Sequence, residues 1–250
     1  MTPSGPASLT PLLSIVIPAH NEALRLPNTL ETTWSYLQTQ DYPAEIIVVE
    51  NGSTDKTYEI AQAFAAQHAQ VRVLHVAQAG KGRAVNHGML AATGEFRFIC
   101  DADLSMPIEE VGRFLPPSAP EYDVAIGSRE VPGAERFGEP AYRHWIGRAF
   151  NFVVRTVTLP GITDTQCGFK CFRAAVVEDV FPAQTIQGWT FDVELLFIAF
   201  QRGYRVVEIP IPWYYHAGSR VRIMRDSILM FLDLFRIRWN ALRRRYAAPT

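Results

Sequence analysis

The stretch Ile99-Cys100-Asp101-Ala102-Asp103-Leu104-Ser105 places two carboxylates two residues apart, at the end of the apolar run 96–100. A short, continuous apolar run of this kind predicts a buried strand. Two like charges at the end of a buried strand are either a solvated turn with a helix cap or the ligands of a cation. The pair by itself favours the turn, so the choice depends on the rest of the chain.

Strands and helices alternate through the first half of the chain. Apolar runs predict strands at residues 13–17, 45–49, 71–75, 96–100 and 124–127, and helices are predicted between them at 24–38, 57–68, 84–92 and 107–115. Nearly continuous apolar strands separated by helices are typical of a parallel sheet that is covered on both faces. We therefore expect an α/β fold with a mostly parallel central sheet and helices on both faces.

The second half of the chain is less regular. Residues 130–142 are rich in Gly, Pro and charge and predict a mobile loop. Helices are predicted at 144–157 and 191–202, a strand at 204–211, and a last helix at 224–246. The expected organisation is a flexible arm, a single α/β domain, and a basic amphipathic helix with a tail, with boundaries at 1–12, 13–222 and 223–250.

The last predicted helix is amphipathic and basic. Seven Arg and two Asp lie between residues 222 and 245, so this segment carries +5 and the remainder of the chain −6. Two interpretations are open: the apolar stripe packs on the domain, as most such helices do, or it contacts an anionic membrane surface peripherally. The stripe recurs at helical spacing and consists of Ile228, Phe231, Leu232, Phe235, Trp239, Leu242 and Tyr246.

Composition excludes several functional classes. The net charge of −1 over 250 residues gives no indication of nucleic-acid binding. No uninterrupted apolar run reaches the ~18 residues of a membrane span, and the N-terminus lacks the basic start of a secretory signal. The three cysteines lack zinc-site spacing, so free thiols in a reducing compartment are expected. We expect a cytoplasmic protein, at the cytoplasmic face of the membrane if the last helix docks there.

Polar clusters follow each of the first four predicted strands. Ligands of parallel α/β sheets bind beyond the carboxyl ends of the strands, so these clusters predict one cleft. Carboxylates without nearby His or Cys ligands suit Mg²⁺ or Mn²⁺, completed by water and substrate phosphates. Two glycines would let backbone approach a phosphate beside a lysine charge. The clusters are His20-Asn21-Glu22, Glu50-Asn51-Gly52, Gly80-Lys81-Gly82 and Asp101-Ala102-Asp103.

The order of these motifs resembles the family 2 glycosyltransferases, which have the GT-A fold. Three downstream motifs are similar to the branch that uses dolichyl phosphate, and are nearer to its glucosyltransferases than to its mannosyltransferases. The resemblance covers residues 13–222. The downstream motifs are Gly127-Ser128-Arg129, Asp164-Thr165-Gln166-Cys167-Gly168-Phe169-Lys170 and Trp189-Thr190-Phe191-Asp192-Val193-Glu194.

The resemblance implies roles for particular residues. Asp103 would bind the metal together with Asp101, and the catalytic residues would be Asp103, Asp192 and Arg129. The nucleotide-sugar donor would contact Pro18, Ala19, Asn21, Glu22, Glu50, Asn51, Asp55, Lys81, Gly82, Asp101, Ala102 and Asp103. The acceptor phosphate would contact Arg129, Arg143, Gln166, Lys170 and Arg220.

The sequence departs from the family pattern at two places. Glu50-Asn51 replaces the commoner Asp-Asp pair, and Gly147 replaces a hydroxyl residue expected four positions after Arg143. Asp192 has two readings, a helix N-cap or a site acid. An acid at this place in relatives removes a proton from a sugar hydroxyl, whereas a phosphate monoester is mostly ionised at neutral pH and needs no base.

The expected function is inverting transfer of a hexose, glucose from UDP-glucose, to a polyprenyl (dolichyl-type) phosphate. Three alternatives are open: a GDP-mannose-dependent polyprenyl-phosphate mannosyltransferase, a family 2 transferase with a hydroxyl acceptor, and a non-catalytic nucleotide-sugar-binding protein. The sequence does not indicate an oligomeric state.

Overall fold

A seven-stranded sheet forms the centre of the protein, whose computed structural model describes residues 10–216 and 223–247. The strands are β1 (Leu13–Ala19), β2 (Ala44–Asn51), β3 (Val71–Val76), β4 (Phe96–Ile99), β5 (Val124–Ser128), β6 (Glu135–Phe137), β7 (Lys170–Arg173), β8 (Val206–Pro210) and β9 (Pro212–Tyr214). The α-helices are α1 (Leu26–Gln38), α2 (Thr57–Ala65), α3 (Lys81–Ala91), α4 (Ala141–Val157), α5 (Ala174–Val180), α6 (Phe191–Gln201) and α7 (Ile223–Leu242). Two 3₁₀ helices cover Ile108–Phe114 and Phe181–Ala183.

The central sheet is mostly parallel, as predicted. Its strand order is β3-β2-β1-β4-β7-β5-β8, and β7 alone among these strands runs antiparallel to its neighbours β4 and β5. The remaining two strands, β6 and β9, form a separate parallel pair. The order places β1 at the middle of the parallel half, so the loops after β1, β2 and β4 leave the same edge of the sheet.

Helices cover both faces of the sheet, which confirms the prediction. Side chains alternate along β1, so that Ile15 and Ile17 enter one apolar core and Val16 enters the other. The first core lies under α1, α2 and the 3₁₀ helix Ile108–Phe114. The second core lies under α3, α5 and α6 and takes in the inner sides of α4 and α7.

Some predicted boundaries are wrong. Strand β1 continues through Pro18 to Ala19, because it pairs with β4 only as far as Val16 and a missing N–H on the open side is tolerated. Helix α3 begins at Lys81, three residues before the predicted start. The predicted mobile loop 130–142 contains β6, which pairs with β9. Strand β7 was not predicted at all, because its four residues show no period.

Helix α7 has one buried and one exposed face. Leu234 and Ile237 are fully buried in the second core, whereas most of the predicted apolar stripe faces outward, with Trp239 55% and Leu242 79% exposed. The helix ends at Leu242. Tyr246, which was predicted to continue the stripe, instead turns back into the core and is 2% exposed. Among the described helices, none is both long enough and apolar enough to cross a bilayer.

A buried hydrogen bond holds the end of the chain in place. The Tyr246 hydroxyl donates to Oε1 of Glu194, a fully buried residue of α6, at 2.6 Å, and accepts from Nδ2 of Asn240 at 3.1 Å. The backbone oxygen of Tyr246 also accepts from Nε and Nη2 of Arg202, at 3.2 and 3.1 Å. These contacts tie the segment after α7 to α6.

We expect Tyr246→Phe to lower the free energy of unfolding by about 1.5–3 kcal/mol, because it removes a hydrogen bond to a charged, buried acceptor. Urea denaturation followed by circular dichroism would measure the change. Tyr142→Phe serves as the matched control, because that ring is 59% exposed. Equal stability of the two variants would contradict the buried position of Tyr246.

Candidate active site

A cavity of 630 Å³ opens at the carboxyl ends of the parallel strands. Many residues predicted for the site line it: Pro18, Glu22, Asn51, Lys81, Asp101, Ala102, Asp103, Arg129, Gln166 and Asp192. Other predicted residues lie outside its lining: Ala19, Asn21, Glu50, Asp55, Gly82 and Lys170. Two predicted residues cannot be placed in this way, since Arg220 and the side chain of Arg143 lie outside the described part of the protein.

The turns after β1 and β2 are tied to each other. Nδ1 of His20 lies 2.7 Å from the backbone oxygen of Asn51. The backbone N–H of Asn21 donates to Oγ of Ser53 at 3.0 Å, and Oδ1 of Asn21 accepts from the N–H of Thr54 at 2.8 Å. Asn21 has a φ of 55°, a left-handed conformation that Asn tolerates better than most residues. Asn21 therefore shapes the wall of the cavity through the backbone.

Glu50, at one of the two departures from the family pattern, is turned away from the cavity. It is 1% exposed. Its Oε1 accepts from the backbone N–H of Ser53 at 2.5 Å, and its Oε2 lies 2.6 Å from Nδ1 of His75. Burial alone would raise the pKa of Glu50, but the bonds to Ser53 and His75 lower it below its ordinary value. The longer acid therefore braces the β2 turn against β3.

Asp55 supports the cavity from behind. Its Oδ1 accepts from the N–H of Thr57, the first residue of α2, at 3.0 Å, and its Oδ2 accepts from the N–H of Ala23 at 3.2 Å. Oγ1 of Thr57 in turn accepts from the N–H of Glu22 at 2.8 Å. Glu22 pairs with Arg25 through Nε at 2.7 Å, and both side chains line the cavity. Arg25 was not predicted.

Positive and negative side chains alternate on the floor of the cavity. Nζ of Lys81 lies 2.7 Å from Oδ1 and 2.9 Å from Oδ2 of Asp101, with hydrogen-bond geometry to Oδ2. Burial alone would lower the pKa of Lys81, but Asp101, Asp192 and Asp103 raise it above its ordinary value. Lys170, 3% exposed, lies 3.2 Å from Oδ2 of Asp192. Burial raises the pKa of Asp192, although Lys170 and Lys81 oppose the rise.

Asp101 and Asp103, which follow β4, offer oxygen ligands for a cation. Asp103 lines the cavity and accepts from the backbone N–H of Ser105 at 3.0 Å. Oδ1 of Asp101 is buried and lies 2.7 Å from Nζ of Lys81, without hydrogen-bond geometry to any of the residues described. Within residues 10–216 and 223–247, no three His, Cys, Asp or Glu side chains converge as a metal site. Two carboxylates therefore fit a hard divalent cation whose remaining ligands come from substrate phosphates and water.

Gly168 allows the loop before β7 to approach Asp101 closely. A Cβ atom at residue 168 would lie 2.2 Å from Oδ2 and 2.6 Å from Cγ of Asp101. Gly82 has a similar role in α3, where a Cβ would lie 2.5 Å from Cβ of Phe191. The glycines of two sequence motifs thus permit the contacts between α3, β4, β7 and α6 that bring the charged side chains together.

The cysteines take no part in this chemistry. Cys100, Cys167 and Cys171 are free and buried. Burial raises the pKa of Cys167 and of Cys171 to about 12 in each case, so both thiols stay protonated. Only the thiolate is nucleophilic, and this supports the interpretation of Cys167 as a packing residue.

Aromatic and apolar side chains that the sequence pattern did not predict form other walls of the cavity. Trp189 stands over Lys81, whose Nζ lies 5.6 Å from the ring centroid. Trp213 on β9, together with Tyr215 and His216 directly after it, lines another wall. Helices α4 and α7 supply a further side. The signal for the β9 wall was present, since an aromatic run follows the predicted strand 204–211, but it was not interpreted as a strand-end cluster. The residues from the two helices are Ile146, Gly147, Phe150, Ser227 and Met230.

Comparison with protein families and with curated proteins gives a consistent result. The family model described as "Glycosyl transferase family 2" matches residues 14–181. A dolichyl-phosphate beta-glucosyltransferase from Trichomonas vaginalis is 35% identical over 236 residues, covering 90% of this chain and 70% of the relative. The dolichyl-phosphate beta-glucosyltransferase from Homo sapiens is 33% identical over 250 residues, covering 94% of this chain and 77% of the relative.

Solved structures share the fold. Glucosyl-3-phosphoglycerate synthase from Mycobacterium tuberculosis, in complex with UDP, superposes with a TM-score of 0.67 at 18% identity, covering 96% of this chain and 82% of the other. The same enzyme with Mn²⁺, UDP and glucosyl-3-phosphoglycerate gives a TM-score of 0.66, covering 96% and 81%. At this identity the likeness concerns the fold alone, which is GT-A-like.

We expect Gly168→Ala to lower the free energy of unfolding by about 1–3 kcal/mol, because the new methyl group would overlap the carboxylate of Asp101. Gly112→Ala is the matched control, since its Cβ would meet only the Tyr36 hydroxyl at 3.5 Å. Urea denaturation would measure both variants.

The Asp101→Ala background isolates the cause. Asp101→Ala removes the two atoms that a Cβ at residue 168 would approach most closely, so Gly168→Ala should lower the free energy of unfolding by less in that background. We expect a coupling free energy of about 1 kcal/mol or more. Purely additive effects would show that the overlap with Asp101 is not the reason for glycine at residue 168.

Proposed function

This chain belongs to glycosyl transferase family 2, and we propose that it transfers glucose from UDP-glucose, with inversion, to a polyprenyl phosphate of the dolichyl type. The observation that carries the proposal is the composition of the cavity at the carboxyl ends of the parallel strands. Its floor joins Lys81 to paired aspartates, its wall holds Arg129, and its side formed by α4 and α7 is apolar. The curated relatives named above are dolichyl-phosphate beta-glucosyltransferases, which favours glucose over mannose, and the solved enzyme of the same fold is in complex with UDP, which favours UDP over GDP.

The polar floor suits a nucleoside diphosphate leaving group. Lys81 remains an ammonium ion, because the surrounding carboxylates raise its pKa, and it would stabilise the negative charge on the departing diphosphate. Asp103 and Asp101 would hold Mg²⁺ or Mn²⁺, which when bound supplies Lewis-acid stabilisation of the same charge. The solved enzyme of the same fold was crystallised with Mn²⁺ and UDP, which supports this assignment.

The acceptor requires little activation in this proposal. A phosphate monoester has a second pKa near 6 and is mostly ionised at neutral pH, so its oxygen can attack the anomeric carbon directly. Arg129 would hold that phosphate, because guanidinium groups bind phosphate oxygens in a fork. Asp192, whose carboxylate pairs with Lys170, would orient the sugar rather than remove a proton.

The apolar wall continues onto the surface. Helix α4 exposes Trp145 at 68%, and α7 exposes Ile228 at 60% and Phe235 at 52%. The two helices pack beside each other and both reach the cavity. Arg243, Arg244 and Arg245 follow α7 and are exposed. An apolar surface flanked by cations suits the interface of an anionic membrane, from which a lipid phosphate would reach the cavity. The cytoplasmic location stays a prediction from the sequence.

Transfer assays test the function directly. Protein incubated with UDP-[¹⁴C]glucose, Mg²⁺ and farnesyl phosphate should move label into the organic phase, and EDTA or Asp103→Ala should prevent this. GDP-[¹⁴C]mannose should be a poor donor. Farnesol is the matched acceptor control, since it offers a hydroxyl in place of the phosphate.

Asp192→Asn separates the remaining alternatives. With a phosphate acceptor it should retain measurable turnover, because no base is needed. Transfer to farnesol, together with complete loss in Asp192→Asn, would instead establish a hydroxyl acceptor and the base that it requires. Binding of UDP-glucose without turnover on either acceptor would indicate a non-catalytic protein.

We expect the protein to bind anionic vesicles in a salt-sensitive way. Each basic residue near an anionic surface contributes about 1 kcal/mol, so replacing Arg243, Arg244 and Arg245 by Gln should weaken binding on the order of 100-fold. Co-sedimentation with vesicles of phosphatidylserine and phosphatidylcholine would measure this.

The control variant also replaces three exposed Arg by Gln, at Arg72, Arg113 and Arg205, whose side chains are 43%, 45% and 61% exposed. It should leave vesicle binding nearly unchanged. Failure of the unmodified protein to co-sediment at low salt would mean that α7 is not a membrane contact and that a partner delivers the acceptor.

A further inference from the structure

Asp164 is a fully buried carboxylate that contacts Arg129, a residue of the cavity wall. It is 0% exposed and accepts three hydrogen bonds from Arg129: from the backbone N–H at 3.0 Å, from Nε at 2.7 Å and from Nη2 at 2.8 Å. Burial alone would raise the pKa of Asp164, but the Arg129 guanidinium lowers it below its ordinary value. The carboxylate is therefore ionised and engages one edge of the guanidinium in a bidentate pair.

The loop that carries Asp164 is itself fixed. Glu208, on β8, accepts from the backbone N–H of Thr163 at 2.9 Å and from its Oγ1 at 2.5 Å. It also accepts from the N–H of Asp164 at 3.0 Å. Because β8 pairs with β5, and Arg129 directly follows β5, the same sheet edge holds both partners of the ion pair.

The plane of the guanidinium is fixed as well. Cζ of Arg129 lies 5.3 Å from the centroid of the Trp213 ring, within the range of a cation–π contact. An arginine has five N–H donors in a planar fork, and Asp164 takes those of one edge. Nη1 has no hydrogen bond within the part of the chain that the structure describes. Arg129 lines the cavity next to Gln166, so the donors of Nη1 remain for a ligand there.

We propose that Asp164 is the positioning residue that fixes Arg129, so that the free edge of the guanidinium receives the acceptor phosphate. This inference rests on the proposed function, in which Arg129 binds that phosphate. Asp164 does not line the cavity, so it acts through Arg129. Removing it leaves the cation in place but frees its side chain to rotate away from the bound geometry.

Kinetics with farnesyl phosphate test the proposal. Asp164→Asn should raise the KM for farnesyl phosphate by roughly 10- to 100-fold, the range expected when a binding group is misplaced by about 1 Å. The kcat and the calorimetric affinity for UDP should change little. In an Arg129→Gln background, Asp164→Asn should add almost nothing, because the group through which it acts is gone.

Two further variants keep the test decisive. Glu130→Gln is the matched control, since Glu130 pairs with Arg136, a second arginine that stacks on Trp213 but does not line the cavity. It should leave the acceptor KM unchanged. Asp164→Glu keeps the charge while moving it by one methylene, so it should raise the acceptor KM in the same direction even if Asp164→Asn does not fold.

Four outcomes would overturn the proposal. An unchanged acceptor KM in a folded Asp164 variant, with wild-type turnover on farnesyl phosphate, refutes the positioning role and leaves the proposed function intact. A loss of UDP affinity as large as the rise in the KM for farnesyl phosphate would show a structural role instead. Additive effects of Asp164→Asn and Arg129→Gln would show the same. Wild-type transfer to hydroxyl acceptors alone would refute the proposed function and this inference with it.

Discussion

The salt bridge between Lys81 and Asp101 is the interaction on which the site depends. It joins the first residue of α3 to the loop after β4, and so connects the segment Gly80-Lys81-Gly82 to Asp101 and Asp103. If Lys81 were absent, the carboxylates of Asp101, Asp103 and Asp192 would face one another with too little positive charge between them. The salt bridge also explains the nearby glycines, because residue 168 must lack a side chain for Asp101 to occupy this place.

The alternation of strand and helix predicted the parallel half of the fold, because each apolar run there is long enough to define a strand and is separated from the next by a helix. Strand β7 could not be predicted, since it has four residues, begins at a buried lysine and runs against its neighbours. The pairing of β6 with β9 was equally hidden. It joins two three-residue segments that are far apart in sequence, and only the folded chain brings them together.

The site was predicted in part, by the rule that ligands bind beyond the ends of parallel strands. That rule indicated Asn51, Lys81, Asp101 and Asp103, all of which line the cavity. It does not separate a residue that lines a cavity from one that supports it. Which role a side chain takes depends on its partners, as the pairing of Glu50 with His75 and of Lys170 with Asp192 illustrates. The aromatic wall at β9 was missed for a related reason, because its side chains carry no charge pattern.

Helix α7 was predicted either to pack on the domain or to contact a membrane, and its two faces allow both. The inner face enters the same core as α6, and the segment after the helix is bound to Glu194 through Tyr246. Glu194 also accepts from the N–H of Thr185 at 2.9 Å, in the loop that leads to Trp189 above Lys81. A rigid connection therefore runs from the exposed helix to the polar floor of the cavity. Under the proposed function such a connection would serve the reaction, because the lipid phosphate and the donor would have to meet at a fixed distance and orientation. The buried tyrosine after the helix supplies this connection while leaving the outer apolar face exposed.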